Sequence, residues 1–310
     1  MTMLRIGTRG SPLALWQAHT VAALLDNAGG STDIIRIKTA GDRLQESPLS
    51  EIGGKRLFVK EIEDALLREE IDIAVHSAKD MSAVLPDGLA IAAVLPREDP
   101  RDAIVLPARA AARDFDTVLT HLGHAPAIGT SSVRRSAQLA ALLPRAAFIP
   151  VRGNVDTRLR KLDSGGFDAI VLACAGMRRL GFESRISAAI PIAHCIPAPG
   201  QGIVAVEIRG SDKPTRLAVE RINDEPASIA LTAERTVVAA LGGGCQLPLG
   251  AVATIDGERF EMHGIVTSID GRRVVRRQVA GAAKDASALG RRLAEALARG
   301  GATAILDEVR

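Results

Sequence analysis

Polar and apolar positions follow two rhythms along the chain, and the boundaries between them outline the elements. Short, nearly unbroken apolar runs lie at 4–8, 34–39, 71–75, 89–95, 148–151, 169–174 and 203–208, and another ends at 127–129. Runs of this length and density suit strands buried on both faces of a largely parallel sheet. Between several of them apolar residues recur at helical spacing. One such segment carries Leu13, Leu15, Trp16, Val21, Leu24 and Leu25. Others span 58–67 and 130–143, and a further helix bears Arg158. Ser11 can cap the first helix and Pro12 suits its first position. Strand–helix alternation of this kind predicts open α/β sheets.

The pattern changes near residue 224. A helix over 225–241 is followed by strands at 250–255, 259–267 and 272–279, joined by Asp256-Gly257 and Asp270-Gly271. Asp-Gly between apolar runs is a strong hairpin signal. A helix over 285–299 and a strand at 304–306 complete an expected α+β unit. Two Pro-containing segments, 96–102 and 197–202, separate stretches of α/β pattern and predict two crossings between two lobes with a cleft. The segment 41–55 has no clear periodicity, and a lid over a site is its expected role.

A length of 310 residues suits two or three domains, and 47% apolar content supports their cores. Net charge is only +3, so affinity for nucleic acid does not follow from charge. The basic clusters also lack the interleaved aromatics that stack bases. Cys174, Cys195 and Cys245 cannot all pair and show no metal-ligand spacing, which fits a reducing compartment and no metal site. No apolar run reaches membrane length and the start lacks a signal-like h-region. A soluble cytoplasmic protein is expected.

The 32 Arg and 7 Lys are not placed at random. Arg9, Lys79, Arg134 with Arg135, Arg152 with Arg158, and Arg179 each follow a predicted strand end. Open sheets hold ligands there. Thr130, Ser131 and Ser132 precede the Arg134–Arg135 pair at a helix start, which makes an anion-site candidate. No Walker or G-x-G-x-x-G sequence follows a strand, so the implied ligand is a polyanion other than a nucleotide. Asp80 sits among these cations as a carboxylate able to stabilise a developing cation. His76 reads equally as a structural or a catalytic residue. Cys245 lies in Gly242-Gly243-Gly244-Cys245-Gln246-Leu247-Pro248. The glycines end a helix and clear space around the sulfur, which places it for covalent chemistry. The residues alone leave three readings: a transferase, a two-lobed anion-binding protein without chemistry, or a cysteine hydrolase. The last lacks a convincing paired histidine.

Several motifs carry a resemblance. Ile6 to Ala18 reads IGTRGSPLALWQA, 53–61 reads GGKRLFVKE, and 76–80 reads HSAKD. GTSSVRR at 129–135, RGNVDTR at 152–158, PAPGQG at 197–202 and GGCQLP at 243–248 follow in order. Together they resemble the hydroxymethylbilane synthase (porphobilinogen deaminase) family over nearly the whole chain. The resemblance implies an α/β fold of two periplasmic-binding-protein-like lobes plus a smaller α+β C-terminal domain with a three-stranded antiparallel sheet. The implied divisions are 1–98 with 200–220, 103–196, and 224–310. It also implies a dipyrromethane cofactor, bound through a thioether to Cys245 and made by the enzyme from its own substrate. On it four porphobilinogens are condensed head to tail with loss of ammonia, and hydrolysis releases hydroxymethylbilane. By motif matching, Asp80 becomes the catalytic carboxylate. Ser77, Lys79, Asp80, Thr130, Ser131, Ser132, Arg134 and Arg135 become cofactor contacts. Arg9, Ser11, Gln17, Arg152, Arg158, Arg179 and Gln201 become substrate contacts. Lys55 and Phe58 fall in or beside the lid. A monomer is implied, with neither nucleic acid nor membrane as partner. Met81-Ser82 stands where the family has Val-Pro, and Arg56 where Gly is common.

Overall fold

The computed structural model describes residues 3–39, 59–110, 113–242 and 246–309. Among these residues the chain builds three sheets. The first has five strands in mixed order: β2 (Thr32–Arg36), β1 (Leu4–Thr8), β3 (Ile73–Ser77), β10 (Val204–Arg209) and β4 (Leu89–Val94). β1 runs parallel to both neighbours, while β10 is antiparallel to β3 and β4. Its core holds Ile6, Val21, Ile73, Val75, Val204 and Val206. Helix α1 (Pro12–Asn27) covers one face, and Ser11 caps it by accepting from the Ala14 N–H. Helix α2 (Lys60–Leu67) buries Ile62, Ala65 and Leu66 under the same sheet.

The second sheet is ordered β7 (Ala147–Ile149), β6 (Ala127–Gly129), β8 (Ala169–Ala173), β5 (Asp102–Val105) and β9 (Ala188–Ala189). β6 is parallel to β7 and β8, and β5 is antiparallel to β8 and β9. Helices α3 (Phe115–Leu122), α4 (Val133–Leu142), α5 (Val155–Lys161) and α6 (Cys174–Arg179) pack around it. The chain returns to the first sheet through β10, then forms helix α7 (Lys213–Val219).

The third unit packs α8 (Glu225–Ala240) and α9 (Ala286–Arg299) on an antiparallel meander, β11 (Leu249–Asp256), β12 (Arg259–Thr267) and β13 (Val274–Ala282). Both hairpins occur where Asp-Gly predicts them. Gly257 and Gly271 take φ of 56° and 70° there, a region only glycine enters cheaply. Residues 304–306, expected as a strand, instead lie in helix α10 (Ala302–Asp307). The preceding Gly301, at φ 96°, turns the chain, and Ile305 and Leu306 bury against the core of Phe260, Met262 and Leu297. A three-residue apolar run has no intrinsic period, so packing decided its form.

Two crossovers join the lobes and are stitched to each other. The Glu98 N–H donates to Gly202 O at 3.1 Å, Arg97 Nε to Gln201 O at 2.9 Å, and Gln201 Nε2 to Pro100 O at 2.6 Å. Glu234 of α8, fully buried, then ties both crossovers to the third unit. Its carboxylate accepts from Arg97 Nη1 at 2.6 Å, from the Gly200 N–H at 2.6 Å and from the Ala253 N–H at 2.7 Å.

Candidate active site

Strand β3 delivers the first half of the site. His76 and Ser77, expected just beyond the strand, lie inside it because β10 pairs Val204 with Ser77 and Ala205 with His76. A 3₁₀ turn over Ala78–Asp80 follows and leaves the Asp80 side chain exposed. Asp80 lines a cavity of about 60 Å³ together with Arg9, Ser11, Gln17, His76 and Ser77. Inside it Gln17 Nε2 donates to Ser77 Oγ at 2.8 Å. Five of the sequence-selected residues therefore meet at one place.

The other half comes from the second sheet. Thr130 to Ser132 use their hydroxyls internally. Ser132 caps α4 by accepting from the Arg135 N–H, Thr130 Oγ1 accepts from the Ser132 N–H, and Ser131 Oγ donates to Val151 O. Arg134 and Arg135 are buried and both bind Asp102. Arg134 Nη1 lies 2.7 Å from Oδ2 and Arg135 Nε 2.9 Å from Oδ1. Arg134 Nη1 also donates to Ile196 O, and Arg135 Nη1 to Val171 O. The Asp102 carboxyl is held far below the usual carboxylate range by these two guanidiniums, against its own burial.

Cations crowd this region. Burial, followed by repulsion from Arg135 and Arg134, pushes the Lys79 ammonium down to about 8, against the pull of Asp80 and Asp102. Burial first, then Arg135 and Arg152, push the Arg158 guanidinium down to about 10. Lys79, Arg134, Arg135, Arg152 and Arg158 thus act on one another electrostatically around Asp80 and Asp102. Arg158 Nε is anchored on Gly153 O at 2.8 Å.

Of the remaining selected residues, Arg179 sits apart from this group and Gln201 joins it through Asp102. Arg179 donates to Gly202 O at 2.7 Å and lies 5.3 Å over the Trp16 ring, bridging the second crossover and α1. Gln201 is buried inside the crossovers, where Nε2 also reaches Asp102 Oδ1 at 2.9 Å. Cys245, Lys55, Phe58 and Arg56 lie outside the described residues, as does the expected lid over 41–55. Cys174 and Cys195 are buried, and burial pushes both thiols up to about 12. Such thiols are inert as nucleophiles. Sequence reasoning assigned no role to Asp102, Glu207 or Glu234. Each takes its meaning from a partner at least 19 residues away, and no local pattern signals that.

Two α/β sheets joined by double crossovers, with cations gathered near the strand ends, define a two-lobed α/β protein with a third, α+β unit. Residues 4–217 match the model of the porphobilinogen deaminase, dipyromethane cofactor binding domain, and residues 228–299 that of the porphobilinogen deaminase C-terminal domain. The chain belongs to the porphobilinogen deaminase family. It is 45% identical to the porphobilinogen deaminase of Syntrophomonas wolfei subsp. wolfei, covering 100% of both chains. It is 44% identical to that of Pelobacter propionicus, covering 99% of this chain and 97% of the relative. Among solved structures it is similar to substrate binding domain 2 of Lactococcus lactis GlnP in its open conformation. That likeness has a TM-score of 0.44 and 11% identity, and covers 78% of this chain and 91% of that one. Among the described residues no helix is long and apolar enough to cross a membrane, and no cluster of His, Cys, Asp or Glu could hold a metal ion.

Proposed function

We propose that this chain is a transferase that condenses four porphobilinogens head to tail into hydroxymethylbilane, losing one ammonia per unit. A dipyrromethane on Cys245 supplies the primer to which the first unit is joined. The observation that carries the reading is the mutual crowding of Lys79, Arg134, Arg135, Arg152 and Arg158 beside the exposed Asp80. Each porphobilinogen brings an acetate and a propionate, and a chain of them suits such a cluster. The crowding also fits the cofactor, whose own carboxylates would offset the repulsion that adds to burial in depressing Lys79 and Arg158.

Each side chain has a part in this reading. Lys79, Arg152 and Arg158 meet carboxylates directly. Arg134 and Arg135, locked on Asp102, lend charge from behind. Loss of ammonia from the aminomethyl group leaves a pyrrole-derived cation, and Asp80 stabilises it through the pyrrole N–H groups as a preorganised carboxylate. Arg9 and Ser11 orient the incoming unit, Gln17 and Ser77 hold the wall behind it, and Arg179 and Gln201 couple the crossovers to occupancy. The division into 1–98 with 200–220, 103–196 and 224–310 belongs to the same reading and is supported by the three separate sheets. So do a cytoplasmic location and a monomeric state.

Intact mass of the freshly purified protein tests this. The mass is expected to exceed that of the sequence by two pyrrole units, and Cys245→Ser is expected to remove the excess. An active wild-type protein carrying no adduct defeats the proposal.

A further inference from the structure

The turn that carries Asp80 is held from outside its own lobe. Asp80 is exposed, but Ala78 and Met81 on either side of it are buried, and both share one apolar cluster with Ala227 and Leu231 of α8. Arg235, one helical turn past Leu231 on the same face of α8, donates from Nη2 to Ala83 O at 2.9 Å. The face of α8 that carries Ala227, Leu231 and Arg235 therefore secures the chain on both sides of Asp80. A second support lies beneath the turn. The Ala78 N–H donates to Ile203 O at 3.0 Å, and Gly200 packs so closely that a Cβ there would lie 2.9 Å from Ala78 C. Gly200 is in turn held by Glu234, which accepts its N–H at 2.6 Å. Two adjacent side chains of α8 thus hold the crossover under the turn and the loop that leaves it.

The electrostatics keep Arg235 facing inward. The side chain is half-buried, and burial pushes its guanidinium down. Glu207 and then Glu63, both fully buried, pull it back up. Glu207 lies on β10, which pairs with β3, and Glu63 lies on α2, so a cation of the third unit is balanced inside the first lobe. A charged donor makes a stronger bond to a carbonyl than a neutral one. Building on the function proposed above, we infer that Arg235 is a positioning residue for Asp80, fixing the loop beyond it so that the carboxylate faces each pyrrole-derived cation from one place. An aim set through the backbone serves every addition alike, while capture of the incoming unit stays with Arg9 and Ser11. Losing Arg235 therefore harms rate and spares binding.

The test is a double-mutant cycle with Asp80, run on holoenzyme whose cofactor is confirmed by intact mass. In Arg235→Gln, kcat is expected to fall about 10- to 100-fold, the range for a reacting group misplaced by roughly an ångström. KM for porphobilinogen is expected to stay within about twofold of wild type, since uniform binding is untouched. Rapid mixing and acid quench are expected to show all four additions slowed by the same factor. In Asp80→Asn no carboxylate is left to aim, so adding Arg235→Gln is expected to change the already slow rate by less than about twofold. Asp80→Glu, whose carboxylate is already displaced, serves the same purpose if Asp80→Asn carries no cofactor. Arg235→Lys keeps the charge facing Glu207 and Glu63 without the planar fork, and it runs the same cycle if Arg235→Gln does not fold. A loss that multiplies in full on top of the Asp80 variant overturns the inference, because a merely structural role is additive. So does a raised KM with kcat unchanged, or wild-type turnover in Arg235→Gln. A wild-type protein that carries no pyrrole adduct and consumes no porphobilinogen overturns instead the function on which the inference rests.

Discussion

At Lys79 one side chain converts local electrostatics into a pH response. Burial and the neighbouring arginines hold its ammonium down at about 8, well below the ordinary value of 10.5. Below pH 8 the amine is charged in both the folded and the unfolded chain, and the folded form bears the cost of that charge. From about pH 8 to 10.5 the unfolded chain binds more protons, so stability rises through this window while the site loses a cation. Binding and stability therefore move in opposite directions. The rate at which the cofactor-free chain assembles its cofactor from porphobilinogen is expected to fall above about pH 8. Lys79→Arg, which keeps its charge, is expected to abolish that fall, and an alkaline fall near pH 8 that survives in Lys79→Arg would return Lys79 to a structural role. The position of Lys79 just beyond a predicted strand was legible in the sequence, and so were Arg9, Ser11 and Asp80. What Arg134 and Arg135 do was not. They read as ligand-facing cations, and the fold gives them an internal carboxylate, Asp102, that sits 32 and 33 residues away in the chain.

At the scale of elements, legibility followed locality. Strands whose ends are set by turn chemistry, such as β11 and β12, fall close to the expected bounds. β3 is displaced by two residues, to Ile73–Ser77, because its end is set by β10, a partner more than 120 residues distant. That displacement puts His76 in the strand, beside Glu207. β5 was missed because its Asp102–Val105 run is short and follows a segment that reads as a hinge. The second crossover shows how local chemistry supports such long-range pairing. Gly202 has φ of 89°, and a Cβ there would lie 2.2 Å from Glu98 O. Gly202→Ala therefore strains the backbone by about 1–3 kcal/mol and also forces the crossovers apart. The variant is expected to unfold at lower denaturant concentration and to lose turnover even where it retains cofactor. A midpoint and turnover equal to wild type would show that the crossovers tolerate separation.

At the scale of the molecule, one carboxylate joins all three units. Glu234 projects from α8 of the third unit, fully buried, and meets Arg97 of the first crossover, the Gly200 N–H of the second, and the Ala253 N–H of its own sheet. Further links run alongside. The Ala251 N–H donates to Pro197 O at 3.0 Å, and Arg276 donates to Ala193 O and Ile192 O. These others are backbone bonds or exposed contacts, whereas Glu234 is fully buried against a half-buried Arg97, and removing one partner of a buried pair costs about 3–5 kcal/mol. The loss falls on the junction and not on any one core, since the clusters around Phe260, Val206 and Ile104 are left intact. Glu234→Gln keeps one acceptor for the two N–H groups but leaves Arg97 without its counter-charge. Its calorimetric trace is expected to split, with residues 225–309 melting apart from the lobes, where the wild type gives one transition. Limited proteolysis is expected to cut first near 197–202. Because α8 also carries Arg235, which donates to Ala83 O three residues beyond Asp80, and precedes Cys245 in the chain, the same variant is expected to keep its covalent cofactor yet turn over slowly. A single unsplit transition with full turnover would mean that the third unit is held by its other contacts and that Glu234 serves only its own helix.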